Sequence, residues 1–113
     1  MTSSDQPGWR DRPSDQLIVH EVGDGTLRLI GEIDMHTSSV LRHRLESDPL
    51  VRVLDLRDVT FLDSTGLIVL VDANRDRADG GLVLRSPAGA VSRVLELAGM
   101  EQLFRIERPE SAP

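Results

Sequence analysis

Two changes of hydrophobic period between residues 51 and 84 restrict this fold more than any other feature. Val51-Arg52-Val53-Leu54-Asp55-Leu56 is an apolar run of strand length. After Asp63 the spacing becomes helical: Leu67, Leu70, Val71, Asn74 and Ala78 fall at i, i+3, i+4, i+7 and i+11. Gly80-Gly81 stops that helix and Leu82-Val83-Leu84 reads as another strand. A strand, a helix and a strand in this order form a β-α-β unit, with parallel strands and a right-handed crossover expected. Parallel strands need helices over the sheet, so the chain belongs to the α/β class.

The remaining segments fit around that unit. Leu17 to Val22 and Leu27-Arg28-Leu29-Ile30 are strands joined by the turn Gly23-Asp24-Gly25, together a hairpin. Asp34 or Thr37 caps a helix running to about Ser47, with Val40, Leu41 and Leu45 inward and Pro49 after its end. Val91, Val94, Leu95 and Ala98 mark a further helix that stops at Gly99, and Leu103 to Ile106 is a last short strand. The expected architecture is a single α/β domain over residues 15–107, a mixed sheet with helices packed mainly on one face. Residues 1–14, which include Trp9, and residues 108–113 are expected to be polar tails.

At 113 residues the chain builds one core and not two. Its longest uninterrupted apolar stretch, Leu67 to Val71, is too short to span a bilayer, and the N-terminus lacks a cationic apolar signal, so a cytoplasmic protein is expected. The net charge of −6 argues against direct nucleic-acid binding. All 13 basic residues are arginine, which excludes a P-loop lysine, a Schiff base and the lysine of a two-component receiver, although Asp55, Asp58 and Asp63 resemble a receiver's acidic cluster. With no cysteine there is no disulfide, thiol nucleophile or cysteine zinc site.

Candidate chemistry concentrates in Asp63-Ser64-Thr65-Gly66-Leu67, at the junction of strand and helix. There the backbone offers unpaired N–H groups and the positive end of a helix dipole. Ser64 or Asp63 can serve simply as a helix cap, and Gly66 as a point of close approach. The same amides also tolerate an added phosphate, so the hydroxyl pair suits a reversible charge switch. A serine hydrolase would want Gly-x-Ser-x-Gly, but Leu62 stands two residues before Ser64. His20, His36 and His43 all precede the motif without the spacing of a catalytic triad. His36 and His43 are seven residues apart, about two helical turns and too far for one metal ion.

These segments, taken together, resemble STAS domains. The residues that carry the resemblance are Gly31-Glu32-Ile33-Asp34, Val53-Leu54-Asp55-Leu56, Val59-Thr60-Phe61-Leu62-Asp63-Ser64-Thr65-Gly66-Leu67, Gly81-Leu82-Val83-Leu84 and Val94-Leu95-Glu96-Leu97-Ala98-Gly99-Met100. The match covers residues 17 to 106 and is closest to the anti-sigma factor antagonists, small free-standing bacterial proteins. It implies partner switching without catalysis or cofactor. The unmodified protein binds an anti-sigma factor that is also a serine kinase of the histidine-kinase-like ATPase fold, which frees the sigma factor. Phosphorylation of Ser64 separates the pair, and a metal-dependent serine phosphatase resets it. Thr65 is the secondary acceptor, and Asp34, Asp63, Ser64, Thr65 and Gly66 form the partner-binding surface.

Two other functions fit the same resemblance. One is a STAS subunit of a membrane lipid or anion transport system, against which an intact acceptor serine weighs. The other is a sensory module for a nucleotide or small ligand, for which the chain has no Gly-rich phosphate cradle. Two features are unusual for the family, the long polar N-terminal segment and the alternating charges of Asp72-Ala73-Asn74-Arg75-Asp76-Arg77.

Overall fold

The computed structural model describes residues 17–77 and 80–108. Residues 1–16, Ala78, Asp79 and residues 109–113 lie outside this range, and with them Trp9 and nearly all of both expected tails.

In chain order the elements are β1 (Leu17–Gly23), β2 (Thr26–Ile33), α1 (Ser38–Ser47), β3 (Val53–Leu62), α2 (Ser64–Asp76), β4 (Val83–Arg85), α3 (Gly89–Leu97) and β5 (Arg105–Glu107). The strands form one sheet in the order β1-β2-β3-β4-β5. β1 pairs antiparallel with β2, and every later pairing is parallel. Gly25 makes the hairpin turn with φ +72°, where a side chain would meet the Leu50 carbonyl oxygen at 2.8 Å. That turn also receives the start of β3, through bonds from the Arg52 and Val53 N–H groups to the Gly25 carbonyl.

One face of the sheet is apolar and covered. Leu27, Leu29 and Ile33 of β2, Leu54 and Leu56 of β3 and Leu84 of β4 share a core with Leu41 and Leu45 of α1, Val69 and Leu70 of α2, and Val91 and Leu95 of α3. Alternate residues of these strands face away from that core and include charged ones, among them Arg28 and Asp58, which form an ion pair, and Arg85, which pairs with Glu107 of β5. The period-2 alternation in β2 reflects this division directly.

The structure corrects several sequence expectations. β3 extends to Leu62 and not Leu56, because the ladder with β2 survives two irregularities, between Arg28 and Ile30 and between Gly31 and Glu32. These re-aim Val59 and Leu62 into the core. Val40 is 54% exposed and not inward; the buried face of α1 is Ser38, Leu41 and Leu45. In α2 the buried stripe is Gly66, Val69, Leu70 and Ala73, displaced from the one read off Leu67, Leu70, Val71 and Asn74. The helix also ends at Asp76, before the Gly80-Gly81 pair. Ala98 is exposed at the C-cap of α3, and the last strand begins at Arg105.

Candidate functional site

Ile33 and Leu62 are the last residues of β2 and β3, and they are partners in the parallel register. The chain therefore leaves the sheet at two adjacent points, as Asp34 and as Asp63. The Asp63 N–H reaches back to the Ile33 carbonyl at 3.2 Å and ties the two exits together. Gly66 permits this approach, since a Cβ there would lie 2.5 Å from Ile33 Cγ2 and 2.8 Å from Leu62 Cδ1. Only a residue without a side chain lets the first turn of α2 sit this close to β2.

Both exits are closed by a carboxylate. Asp63 is the N-cap of α2: its Oδ1 accepts from the Gly66 N–H at 3.0 Å and from the Thr65 hydroxyl at 2.6 Å. The cap is thus Asp63 and not Ser64. Asp34 Oδ1 accepts from the N–H groups of His36 and Thr37 at 2.9 and 3.0 Å. The buried Thr37 hydroxyl accepts from the Asp34 N–H at 2.9 Å and shares its proton between the Glu32 carbonyl at 2.7 Å and Asp34 Oδ1 at 3.2 Å. Asp34 and Thr37 thus bond reciprocally, in the manner of a capping box placed one turn before α1. Neither of the two expected caps of α1 acts as drawn from sequence, because Thr37 occupies the N-cap without a side-chain cap bond and Asp34 closes the preceding turn.

Burial pushes the Asp34 carboxyl up, but the Thr37 and His36 backbone amides and the Thr37 hydroxyl outweigh it and hold the group below its ordinary value. His36 adds a favourable charge interaction. Asp34 is therefore a fixed anion at neutral pH.

Ser64 stands apart from this bonded set. It is the first residue of α2, exposed, and its hydroxyl makes no hydrogen bond to a described residue. Thr65 is half-buried, with its hydroxyl engaged by Asp63. The N–H groups of Ser64 and Thr65 belong to the first helical turn, which has no intrahelical acceptors. Met35 and Ile68, 67% and 53% exposed, are the large apolar side chains of the neighbouring turn and helix start. Sequence reasoning missed Thr37 as the hub of the Asp34 turn, although the Asp34-x-x-Thr37 spacing carried the signal. The three histidines are exposed, His20 on β1, His36 in the Asp34 turn and His43 on α1. Among the described residues no group of three or more His, Asp or Glu side chains is placed to hold a metal ion, and no helix is long and apolar enough to cross a membrane.

Comparison with known proteins points the same way as this geometry. The sequence profile of the STAS domain matches residues 17–111. An anti-sigma-B factor antagonist of Listeria monocytogenes is 31% identical over 86 residues, covering 71% of this chain and 75% of the relative. The anti-sigma-B factor antagonist of Bacillus subtilis is 30% identical over 95 residues, covering 79% and 86%. Among solved structures, an anti-sigma factor antagonist from Mycobacterium paratuberculosis superposes with a TM-score of 0.69 at 27% identity, covering 81% of this chain and 84% of that one. The chain belongs to the STAS domain family and, within it, groups with the anti-sigma factor antagonists.

Proposed function

We propose that this chain is an anti-sigma factor antagonist whose binding is switched by a phosphate on Ser64. The observation that carries the reading is the contrast at the start of α2. The flanking side chains are tied down by hydrogen bonds, whereas the Ser64 hydroxyl is exposed with no partner among the described residues. In the unmodified state Asp34, Asp63, Ser64, Thr65 and Gly66 form the surface that engages an anti-sigma factor, which releases its sigma factor. That partner is a serine kinase of the histidine-kinase-like ATPase fold, and a metal-dependent serine phosphatase restores the hydroxyl. The chain is a substrate of both and not itself an enzyme. The transport-subunit alternative gains no support from the matched relatives, which are named as anti-sigma factor antagonists.

The physical mechanism is a local charge edit. Phosphate adds about −1.5 to −2 charges at pH 7. The first-turn amides and the helix dipole of α2 stabilise it in the free protein. A partner seated over Ser64 meets that charge beside the fixed anion Asp34 and the capping side chain of Asp63. Losing about 3 kcal/mol of interface energy weakens binding on the order of a hundredfold, enough to exchange partners. No rearrangement of the fold is required.

The test is to incubate the chain with the organism's serine kinases of this fold and ATP, then locate phosphate by mass spectrometry. Ser64→Ala should bind the kinase stably and Ser64→Asp roughly a hundredfold more weakly. Equal affinity of the two variants would overturn the reading.

A further inference from the structure

We propose that Asp63 decides which of the two adjacent hydroxyls accepts phosphate, by withdrawing Thr65 and leaving Ser64. The inference rests on the switch reading above and adds a residue that determines its specificity. Ser64 and Thr65 differ by one methyl group and one position, so neither chemistry nor sequence separates them strongly. Their surroundings do. The Thr65 hydroxyl donates to Asp63 Oδ1 at 2.6 Å, a charge-assisted bond. The same carboxylate oxygen holds the Gly66 N–H at 3.0 Å, which pins it in place as the helix cap. Thr65 is half-buried and Ser64 exposed.

Transfer to either hydroxyl forms an oxygen–phosphorus bond, breaks the bond between the γ-phosphorus of ATP and its bridging oxygen, releases ADP, and passes the hydroxyl proton to a base or to water. On Ser64 this leaves the cap intact and places the new charge beside the free first-turn amides. On Thr65 it removes the proton that holds Asp63. It would also set a phosphate against a carboxylate within hydrogen-bonding distance and uncap α2. A hydroxyl bonded to a carboxylate can also be an activated nucleophile. That alternative makes the opposite prediction: Asp63 would then serve as the base and Thr65 would be the acceptor.

The experiment compares the full chain with Ser64→Ala, and with Ser64→Ala combined with Asp63→Asn or Asp63→Ser, both of which retain a capping acceptor. Each is incubated with ATP and the serine kinase that modifies the wild type, and phosphate is located by mass spectrometry. Wild type is expected to carry phosphate on Ser64 alone, and Ser64→Ala to react at least a hundredfold more slowly. At least one double variant should regain transfer onto Thr65, tenfold or more above Ser64→Ala. Phosphate on Thr65 as well as Ser64 of wild type, a Ser64→Ala rate within a few-fold of wild type, or silence in both double variants would overturn the inference and leave the switch reading standing; phosphate on Thr65 alone would overturn both.

A wild-type chain that accepts no phosphate at all would overturn the switch reading instead. The hold on Thr65 is then tested by NMR without a kinase: the Thr65 hydroxyl proton should exchange slowly in wild type and at least tenfold faster in Asp63→Ser. Equal exchange overturns the assignment.

Discussion

The two ends of α2 handle polar groups in opposite ways. At the start, Asp63 and the neighbouring Asp34 each bond through one carboxylate oxygen and stay partly open to solvent. At the end, Arg77 is buried and its guanidinium is consumed by carbonyls. Nε donates to Val51, Nη1 to Ala73, and Nη2 to Leu45 and Asp48 at 3.1 and 3.0 Å. Three chain segments converge on this one side chain: the end of α1, the approach to β3 and the last turn of α2. Burial lowers its pKa while the nearby Asp76 and Asp48 act in the other direction, so it remains a cation at any working pH. One end of the helix welds the fold together. The other presents a surface that can be modified without loosening it.

Removing the weld should have the largest effect. Arg77→Met takes the guanidinium donors from the carbonyls of Leu45, Asp48 and Val51, of which Asp48 keeps the Val51 N–H, and should cost roughly 3 kcal/mol in urea unfolding. Arg77→Lys should recover part of it, since an ammonium cannot reach all the acceptors of the planar fork. Once folded, either variant should bind the kinase with unchanged affinity.

Gly66→Ala comes next and connects the two regions. The added methyl would sit 2.5 Å from Ile33 Cγ2 and 3.0 Å from the Ile33 carbonyl oxygen. Overpacking of this kind should cost about 2 kcal/mol, slightly offset by alanine's better helix propensity. Because it pushes α2 away from the end of β2, it should also weaken partner binding, which Arg77→Met should not. Loss of stability without loss of binding would show that the spacing between Asp34 and Ser64 is not read by the partner.

These residues also show what a sequence discloses. The cap of α2 was legible only as a choice between Asp63 and Ser64, because both lie within three residues of the first-turn amides. The Asp34–Thr37 link has the same local spacing but closes the turn before α1, where a cap of the helix itself was expected. The β-α-β unit was legible because its period changes twice. The buried face of α2 was not, since Leu67 to Val71 is apolar throughout and any stripe drawn across it looks plausible. The true stripe, Gly66, Val69, Leu70 and Ala73, continues at the same spacing to Arg77. An arginine at that position reads as a solvated charge until three carbonyl-bearing segments are seen to meet there. The length of β3 was hidden for a related reason, because bulges break the alternation on which strand reading depends.

Thr37→Val isolates the Asp34 turn at a smaller scale. It removes the acceptor for the Asp34 N–H and the donor to the Glu32 carbonyl, for about 1–2 kcal/mol of stability at pH 7. The pH dependence follows from the direction of the Asp34 shift. Its folded-state pKa lies below the ordinary carboxylate value of about 3.9. The stabilisation is therefore complete above the unfolded-state pKa and is lost as pH falls through the folded one. The gap between wild type and Thr37→Val should narrow in acid, and the NMR titration midpoint of Asp34 should rise in the variant. A gap unchanged down to the lowest accessible pH would mean that Thr37 acts through packing alone.

The smallest effect on stability belongs to the residue with the largest proposed effect on function. Ser64→Asp adds a negative charge at the first position of α2, where the helix dipole favours it, so the fold should gain or lose no more than about 0.5 kcal/mol. Any gain should fade with added salt, since the site is exposed. The same substitution should nevertheless weaken kinase binding on the order of a hundredfold. Arg77→Met should show the converse, a large loss of stability with binding retained. If Ser64→Asp instead destabilised the chain by as much as Gly66→Ala, the switch would act by loosening α2, and the two ends of the helix would not be independent.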